Sequence, residues 1–439
     1  KFMKKWFAIG MMIILACLSV TGCVPNEKEI QTEVVSEEMD SQNTLTIWAW
    51  DNTFNVKAAE LAAEEIQKER PDITVEVVSK EKNEILEKLT NDLSSQLYEE
   101  LPDIVLIEDY QIQNFLTRYQ SEFVDLSEYF DFDLYMDYKV DVSSKDGRHY
   151  GIPFDSGTAV MFYRQDYMEQ AGFTDADMQN LTWERYIEIG KVVKEKLGVH
   201  MLTIEPTDLG VLRIMQQSAG KWYTDEEGHV DIKDNQALSD ALDIYLTLLE
   251  EDIAYSVSGW DEFVAAFQEG EVATVVSGCW LTSNIKANSQ QAGKWRVARI
   301  PRMGENTDSV NASNIGGSNW YILKNKPNVS EAIAFMEHTF AHNEEFMNKL
   351  IKEINIVSSY KDSEKFTNCL VKDDYFGGQY VAEFFTETVK DIKSVNYGMN
   401  TYEIEALMAE KLQTIIKGED RKDSLQKAQI MAEAIVDVK

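Results

Sequence analysis

Positive charge is scarce in this chain: 42 Lys and Arg stand against 76 Asp and Glu, a formal net charge of −34 over 439 residues. Nucleic acids and anionic membrane surfaces are bound chiefly through Lys and Arg near phosphate, so a nucleic-acid-binding role is excluded. Cysteine is scarcer still. Two of the four, Cys17 and Cys23, fall in the first 23 residues, leaving Cys279 and Cys369 for the rest. One pair in so long a chain is no disulfide framework, and whether the two pair is open. Catalytic signatures are missing as well: there is no glycine-x-serine-x-glycine elbow, no phosphate-binding glycine loop and no cysteine–histidine zinc spacing. Ser283-Asn284-Ile285-Lys286 has the serine-x-x-lysine form but no lysine-threonine-glycine partner anywhere in the chain. His338 and His342 lie four apart, as helix-borne metal ligands can, but Thr339 stands where a zinc protease needs its glutamate, so they read as a solvated helix face. No catalytic residue, metal or cofactor is assigned.

What is present suggests two to three globular domains, with 44% hydrophobic and 11% aromatic residues. The first 23 residues stand apart. Lys4 and Lys5 precede an apolar stretch of about fifteen residues, Trp6 to Val20, which is short for a membrane span. It ends in Val20-Thr21-Gly22-Cys23, which resembles the bacterial lipobox. That resemblance implies cleavage before Cys23 and its lipidation, the acyl chains holding the protein at the membrane; an ordinary cleaved signal or a short anchor helix is the alternative. Residues 24–43 are acidic, with little apolar content, and read as a tether.

From Thr44 the pattern alternates strand and helix. Leu45, Ile47 and Ala49 alternate with Thr46, Trp48 and Trp50, predicting a strand. Ala58, Leu61, Ala62 and Ile66 predict a helix stopped by Pro71, and Ile73 to Val78 a second strand. A helix over 83–99 and a continuous apolar strand over Ile104 to Ile107 follow, so this part is α/β with a largely parallel sheet. A second domain from about residue 155 has strands at Val160 to Tyr163 and Val272 to Val276. Its helices lie over Trp183 to Lys196, Leu238 to Glu251 and about 260–268. A strand at Trp320 to Leu323 and four helical stretches close the chain.

Aromatic residues gather beside Gly, Asp and Asn at predicted strand ends: Trp50 with Asp51, Trp222 with Tyr223, Trp280 after Gly278, and Trp320 after Gly316-Gly317-Ser318-Asn319. In parallel α/β domains ligands collect at the carboxyl ends of strands. A sugar ring offers an apolar C–H face and a rim of hydroxyls, which a flat aromatic and neighbouring carboxylates match.

Together these strings resemble the extracellular solute-binding proteins, family 1, of carbohydrate ABC importers. The resemblance rests on Leu45-Thr46-Ile47-Trp48-Ala49-Trp50, Leu101-Pro102-Asp103-Ile104 with Asp109-Tyr110, and Tyr150 to Gly157 continuing to Phe162-Tyr163-Arg164-Gln165-Asp166. Gly270-Glu271-Val272-Ala273 with Gly278-Cys279-Trp280, and Gly316-Gly317-Ser318-Asn319-Trp320, complete it. It implies an α/β, two-lobed, periplasmic-binding-protein-like fold (type II) with a ligand cleft between lobes. The lobes would be 44–154 with 313–356, and 155–312 with 357–439. Crossings are expected near Ile152 to Asp155, Ile300 to Ser318 and Ile356 to Tyr360. By position, Trp50, Asp51, Asp109, Tyr110, Gly317 and Ser318 would line the first lobe's face. Asp155 would sit at the hinge as a hydroxyl acceptor. Trp222, Tyr223 and Trp280 would lie on the second lobe, with Trp280 as a stacking platform and Trp320 nearby.

The function so implied is a monomeric receptor, lipid-anchored at Cys23 on the outer face of a Gram-positive membrane. It would bind a neutral oligosaccharide and deliver it to ABC permease subunits without chemistry. A receptor of the same fold for a non-sugar solute is the alternative, and a secreted glycoside hydrolase, with two carboxyl groups spaced across one bond, is the rival from another class.

Overall fold

The computed structural model describes residues 44–304, 308–362 and 365–437. The leader ending at Cys23 and the 24–43 tether lie outside them. Strands β1 (Thr44–Ala49), β2 (Thr74–Ser79) and β3 (Ile104–Glu108) are parallel, linked by helices α1 (Asn55–Glu69) and α2 (Lys82–Ser95). All of Ile104 to Ile107 is buried, as a strand covered on both faces must be. Helix α2 stops four residues short of the expected 99 because Gln96 turns into the left-handed region at φ 57°, and a short 3-10 turn, Tyr98–Glu100, carries the chain to Pro102. Helices α3 (Asp109–Tyr119) and α4 (Asp137–Val142) then lead through a hairpin, β4 (Ser144–Lys145) and β5 (Arg148–His149), to β6 (Gly151–Asp155). The remaining strands are β7 (Ala159–Arg164), β8 (Leu202–Ile204), β9 (Ala254–Ser256), β10 (Thr274–Gly278), β11 (Trp295–Arg299) and β12 (Ser318–Ile322).

Two sheets result. The first runs β2-β1-β3-β12-β6, with β12 antiparallel to both β3 and β6. The second runs β10-β7-β11, wholly antiparallel, and β8, paired with β9, abuts β10 through a His200–Val272 bridge. Sequence patterning misses β4, β5, β6, β8, β9 and β11, and five helices rather than four follow β12: Val329–His338, Glu344–Ile354, Val381–Val389, Thr401–Ile416 and Arg421–Val436.

The chain passes between the sheets side by side with itself. The Thr158–Asn314 bridge and the bonds Ala159 N to Ser313 O and Ile315 N to Gly157 O (2.9 and 2.7 Å) tie the β6–β7 passage to the β11–β12 passage. Ser156 N bonds Val357 O, adding a third strand of backbone at this waist. Val357 reaches the core behind the second sheet, yet Tyr360, Phe366 and Cys369 pack in the core behind the first, and Tyr375 and Phe376 are the next of this segment to join the second. The expected crossing at Ile356 to Tyr360 is therefore a pass along the waist that returns, because the Tyr360 ring lies against Tyr135 with centroids 4.7 Å apart. Cys279 and Cys369 are both free and buried, in separate cores.

Gly157 is where the passages come closest. A Cβ there would lie 2.3 Å from the Ile315 carbonyl oxygen, a backbone atom of the residue whose N–H donates to Gly157 O. Gly157→Ala should therefore cost about 1–3 kcal/mol, the usual penalty of forced overpacking, read as a lower urea midpoint at unchanged slope; a variant as stable as the parent would show that the passages have slack.

Candidate ligand cleft

A cavity of about 960 Å3 lies between facing ends of the two sheets. The first sheet contributes the ends of β1 (Trp50, Asp51), β3 (Glu108, with Tyr110 just beyond), β6 (Asp155) and the start of β12 (Gly317, Ser318). The second side contributes the end of β8 (Thr203 to Glu205), Asp208 and Arg213, the start of the helix Gly259–Glu269, and Ser277 with Trp280 past β10. Ligand sites gather at such strand ends because the loops there are free to carry side chains the scaffold does not need.

Trp280 owes its position to Gly278. Its indole folds back over that glycine, where a Cβ would meet the ring at 2.0 Å, and its Nε1 donates to Ile315 O at 3.0 Å. The ring stays 41% exposed, although it is pinned at its edge. Trp260, 50% exposed, lies beside it at 6.1 Å with 33° between planes, and Phe263 lies 5.5 Å beyond Trp260. Three rings thus form one apolar wall. Trp260 and Phe263 escaped the sequence reading, which took 260–268 as an ordinary helix; the Gly259-Trp260 pair, with Gly259 at φ +77°, was the available signal.

Carboxylates ring the cavity. Asp51 adopts φ 63° and its Oδ1 accepts from Thr53 N and Oγ1. Glu108 accepts from Lys82 Nζ (3.1 Å) and Tyr402 Oη (2.8 Å), and Asp208 accepts from Arg213 (2.8 Å), which also pairs with Glu405 at 3.0 Å. With Asp155, Glu205 and Glu353, six acids line the space against two cations, Lys82 and Arg213, both already paired.

Beneath the cavity floor sits a buried ionic group. Lys139 Nζ, fully buried on α4, donates to both oxygens of Asp109 (2.8 and 2.6 Å) and to Ser318 O (3.1 Å). Asp155 Oδ1 accepts from Ser318 N (2.8 Å) and Oγ (2.5 Å). Burial pushes the Asp109 carboxyl up to about 7, opposed by Lys139, and burial raises Asp155 for the same reason.

Of the expected site residues, Trp50, Asp51, Tyr110, Asp155, Trp280, Gly317 and Ser318 border the cavity. Four do not. Asp109 is consumed by Lys139. Trp222 is 1% exposed, stacks on Tyr110 at 5.5 Å and donates to Thr401 Oγ1; Tyr223 beside it is wholly buried. Trp320 lies deeper in β12, stacked on Phe340 at 4.9 Å under the helices. These rings face the core because aromatic burial is worth more there than at an edge. Asp155, expected to receive a ligand hydroxyl, has Oδ1 committed to Ser318, so its first role is to pin β12 to the waist. His342 lies past the helix that ends at His338 and accepts from Asp131 N, so the two histidines do not share a helix face. Ser283 borders the cavity, but Lys286 pairs with Asp373 instead.

The chain is similar to known proteins over most of its length. The family described as bacterial extracellular solute-binding protein matches residues 62–374. The lactose-binding protein of Rhizobium radiobacter is 40% identical over 375 residues, 85% of this chain and 88% of that one. The arabinooligosaccharide-binding protein of Bacillus subtilis (strain 168) is 25% identical, over 80% of this chain and 78% of that one. Among solved structures, an extracellular solute-binding protein of family 1 superposes with a TM-score of 0.76 at 21% identity, covering 90% of this chain and 99% of that one. The ABC transporter associated binding protein from B. animalis subsp. lactis Bl-04, in complex with beta-1,6-galactobiose, gives 0.69 at 22%, covering 90% and 97%. The fold is accordingly the two-lobed solute-binding one.

Asp109 and Asp155 have folded pKa values raised above the unfolded carboxyl value near 4, so the folded state holds more protons and their contribution to stability falls as pH rises from about 4 toward 7. Asp155→Asn keeps an acceptor for Ser318 and removes one acid, so its unfolding free energy should decline less steeply across that window than the parent's. Parallel slopes in pH-dependent urea melts would contradict this. On the sequence match and the two-sheet cleft together, the chain belongs to the bacterial extracellular solute-binding proteins.

Proposed function

We propose that the protein captures a neutral di- or oligosaccharide between its lobes and passes it to the permease of an ABC transporter, leaving the sugar chemically unchanged. The observation that carries this is the Phe263–Trp260–Trp280 wall facing a space ringed by hydrogen-bonding carboxylates. Exposed aromatic faces supply the apolar half of a sugar site, and acids the polar half. The size fits: about 960 Å3 is near the top of the usual range of about 300–1,000 Å3 for small-ligand sites and generous for a single sugar ring. So does the charge, since six acids against two paired cations disfavour uronates and other anions. The lactose- and arabinooligosaccharide-binding relatives point to the same class.

Within this reading Trp280 is the principal platform, with Trp260 beside it, and Trp50, Asp51, Tyr110, Gly317 and Ser318 complete the opposite wall. The lobes are 44–155 with 318–370, and 159–312 with the chain from 371, meeting at the waist, where a hinge motion closes them. The protein acts as a monomer on the outer side of the membrane, held by acyl groups on Cys23. No helix among the described residues is long and apolar enough to cross a membrane.

Calorimetry of the full chain against lactose, maltose, arabinobiose, β-1,6-galactobiose, digalacturonate and spermidine tests the reading. At least one neutral disaccharide should bind, digalacturonate should not, and Trp280→Ala should weaken the bound sugar by about thirtyfold, the effect of losing a hot-spot aromatic worth about 2 kcal/mol. Binding only of the uronate or the polyamine would overturn it.

A further inference from the structure

The two ends of the cleft differ. Helices α2 and α3 cover one face of the first sheet, and the core on that face runs without a break into the second lobe, from Val105, Ile107 and Phe115 through to Met161, Leu212 and Ile404. The opposite face, under α1 and the helix Glu344–Ile354, has a core confined to the first lobe, and the core opposite it in the second lobe takes only Met136, Tyr138 and Val357 from the first.

Contacts follow this division. On the α3 side the Tyr110 ring is stacked on Trp222 and meets Tyr397 edge-on at 4.7 Å. Tyr402 Oη donates to Glu108 at 2.8 Å, and Asn114 Nδ2 donates to Met399 O at 3.1 Å. Each bond joins the first lobe to the second. Tyr110 is left 2% exposed. On the α1 side, Glu353 and Asn355 of the first lobe and Ser283 and Asn284 of the second also border the cavity. Among the described residues no hydrogen bond or ion pair joins either of the first pair to either of the second. Trp260 and Trp280, by contrast with Tyr110, stay about half exposed.

Granting the sugar reading above, we propose that the cleft is one-ended: it takes a saccharide by one terminus, with the terminal ring against the Glu108–Tyr402 wall and the chain running out over Trp280 and Trp260. A chain threaded through from its middle would have to break the Glu108–Tyr402 bond and lift Tyr110 from three aromatic partners, Trp222, Tyr397 and Tyr402. Extension at the other terminus passes between Glu353 and Asn355 on one side and Ser283 and Asn284 on the other, and breaks no bond between these pairs. The site thereby reads chain ends and tolerates length in one direction.

The test uses calorimetry on the full chain with a parent disaccharide and two singly extended forms of it. Lactose is tried first as the parent, or else the neutral disaccharide of the panel above that binds. For lactose the forms are p-nitrophenyl β-lactoside, extended at the reducing end, and α-galactosyl-(1→4)-lactose, extended at the other. One form should bind within about tenfold of the parent and the other at least about a hundredfold more weakly, a gap of roughly 2.7 kcal/mol. Tyr402→Ala, whatever it does to the parent, should narrow that gap by at least about tenfold. Tyr402→Phe, which keeps the ring and drops only the bond to Glu108, should narrow it less and gives a second reading at smaller cost to folding. Both forms bound like the parent, or both rejected alike, overturns the one-ended cleft while leaving the sugar reading intact. No neutral sugar bound at all overturns the sugar reading, and this inference with it.

Discussion

One buried ammonium organises the centre of the molecule. Lys139 Nζ, with no exposure to solvent, holds both Asp109 oxygens and the Ser318 carbonyl, and so joins α4 to the start of α3 and to the first residue of β12. Asp155 completes the group by binding Ser318 through two donors. Removing one partner of a buried pair leaves an unpaired charge and commonly costs about 3–5 kcal/mol, so this arrangement tolerates no slack. Gly317, at φ 90°, is the residue that lets the β12 backbone come this near: a Cβ there would lie 2.8 Å from Asp109 Oδ2 and 3.2 Å from Lys139 Nζ. The floor of the cleft and the waist between the lobes are thus one polar assembly.

The rest of the site is built outward from that floor. The waist backbone presents Ile315 O, which holds the Trp280 indole by its edge and leaves its face open. Trp260 and Phe263 extend the wall from a helix that owes nothing to the waist. Around the cavity, Asp51, Glu108 and Asp208 are held in turns or shared with Lys82, Arg213 and Tyr402, so their oxygens are oriented before any ligand arrives. Preorganised polar groups lose little freedom on binding, which favours affinity. The three-ring wall therefore comes from the second lobe, whereas the acids come from both: Asp51, Glu108, Asp155 and Glu353 from the first, Glu205 and Asp208 from the second.

How much of this was legible in the residues depended on whether a feature was local. Continuous apolar runs such as Ile104 to Ile107 and helical spacing such as that over Trp183–Leu197 carry their structure with them, and both elements are where periodicity put them. The glycine before Trp280 likewise announced a ring in an unusual place. Ring direction was not legible. Trp222 and Trp320 stand beside glycine, asparagine or tyrosine much as Trp280 does, yet their fate is settled by Tyr110 and Phe340, far away in sequence. The Asp109–Lys139 pair spans thirty positions, and in a chain of 76 acids no single one marks itself as buried. The return of Tyr360 to the first lobe was hidden for the same reason, since only its partner Tyr135 reveals it.

The central claim is a receptor that holds a neutral sugar and does no chemistry on it. Native mass spectrometry of the full chain, mixed with neutral, acidic and cationic oligosaccharides and left for hours, addresses it directly. The account predicts one neutral saccharide per chain, recovered at its original mass, with the acidic sugars left in solution. Recovery of a cleaved sugar, or retention of an acidic one, would contradict it.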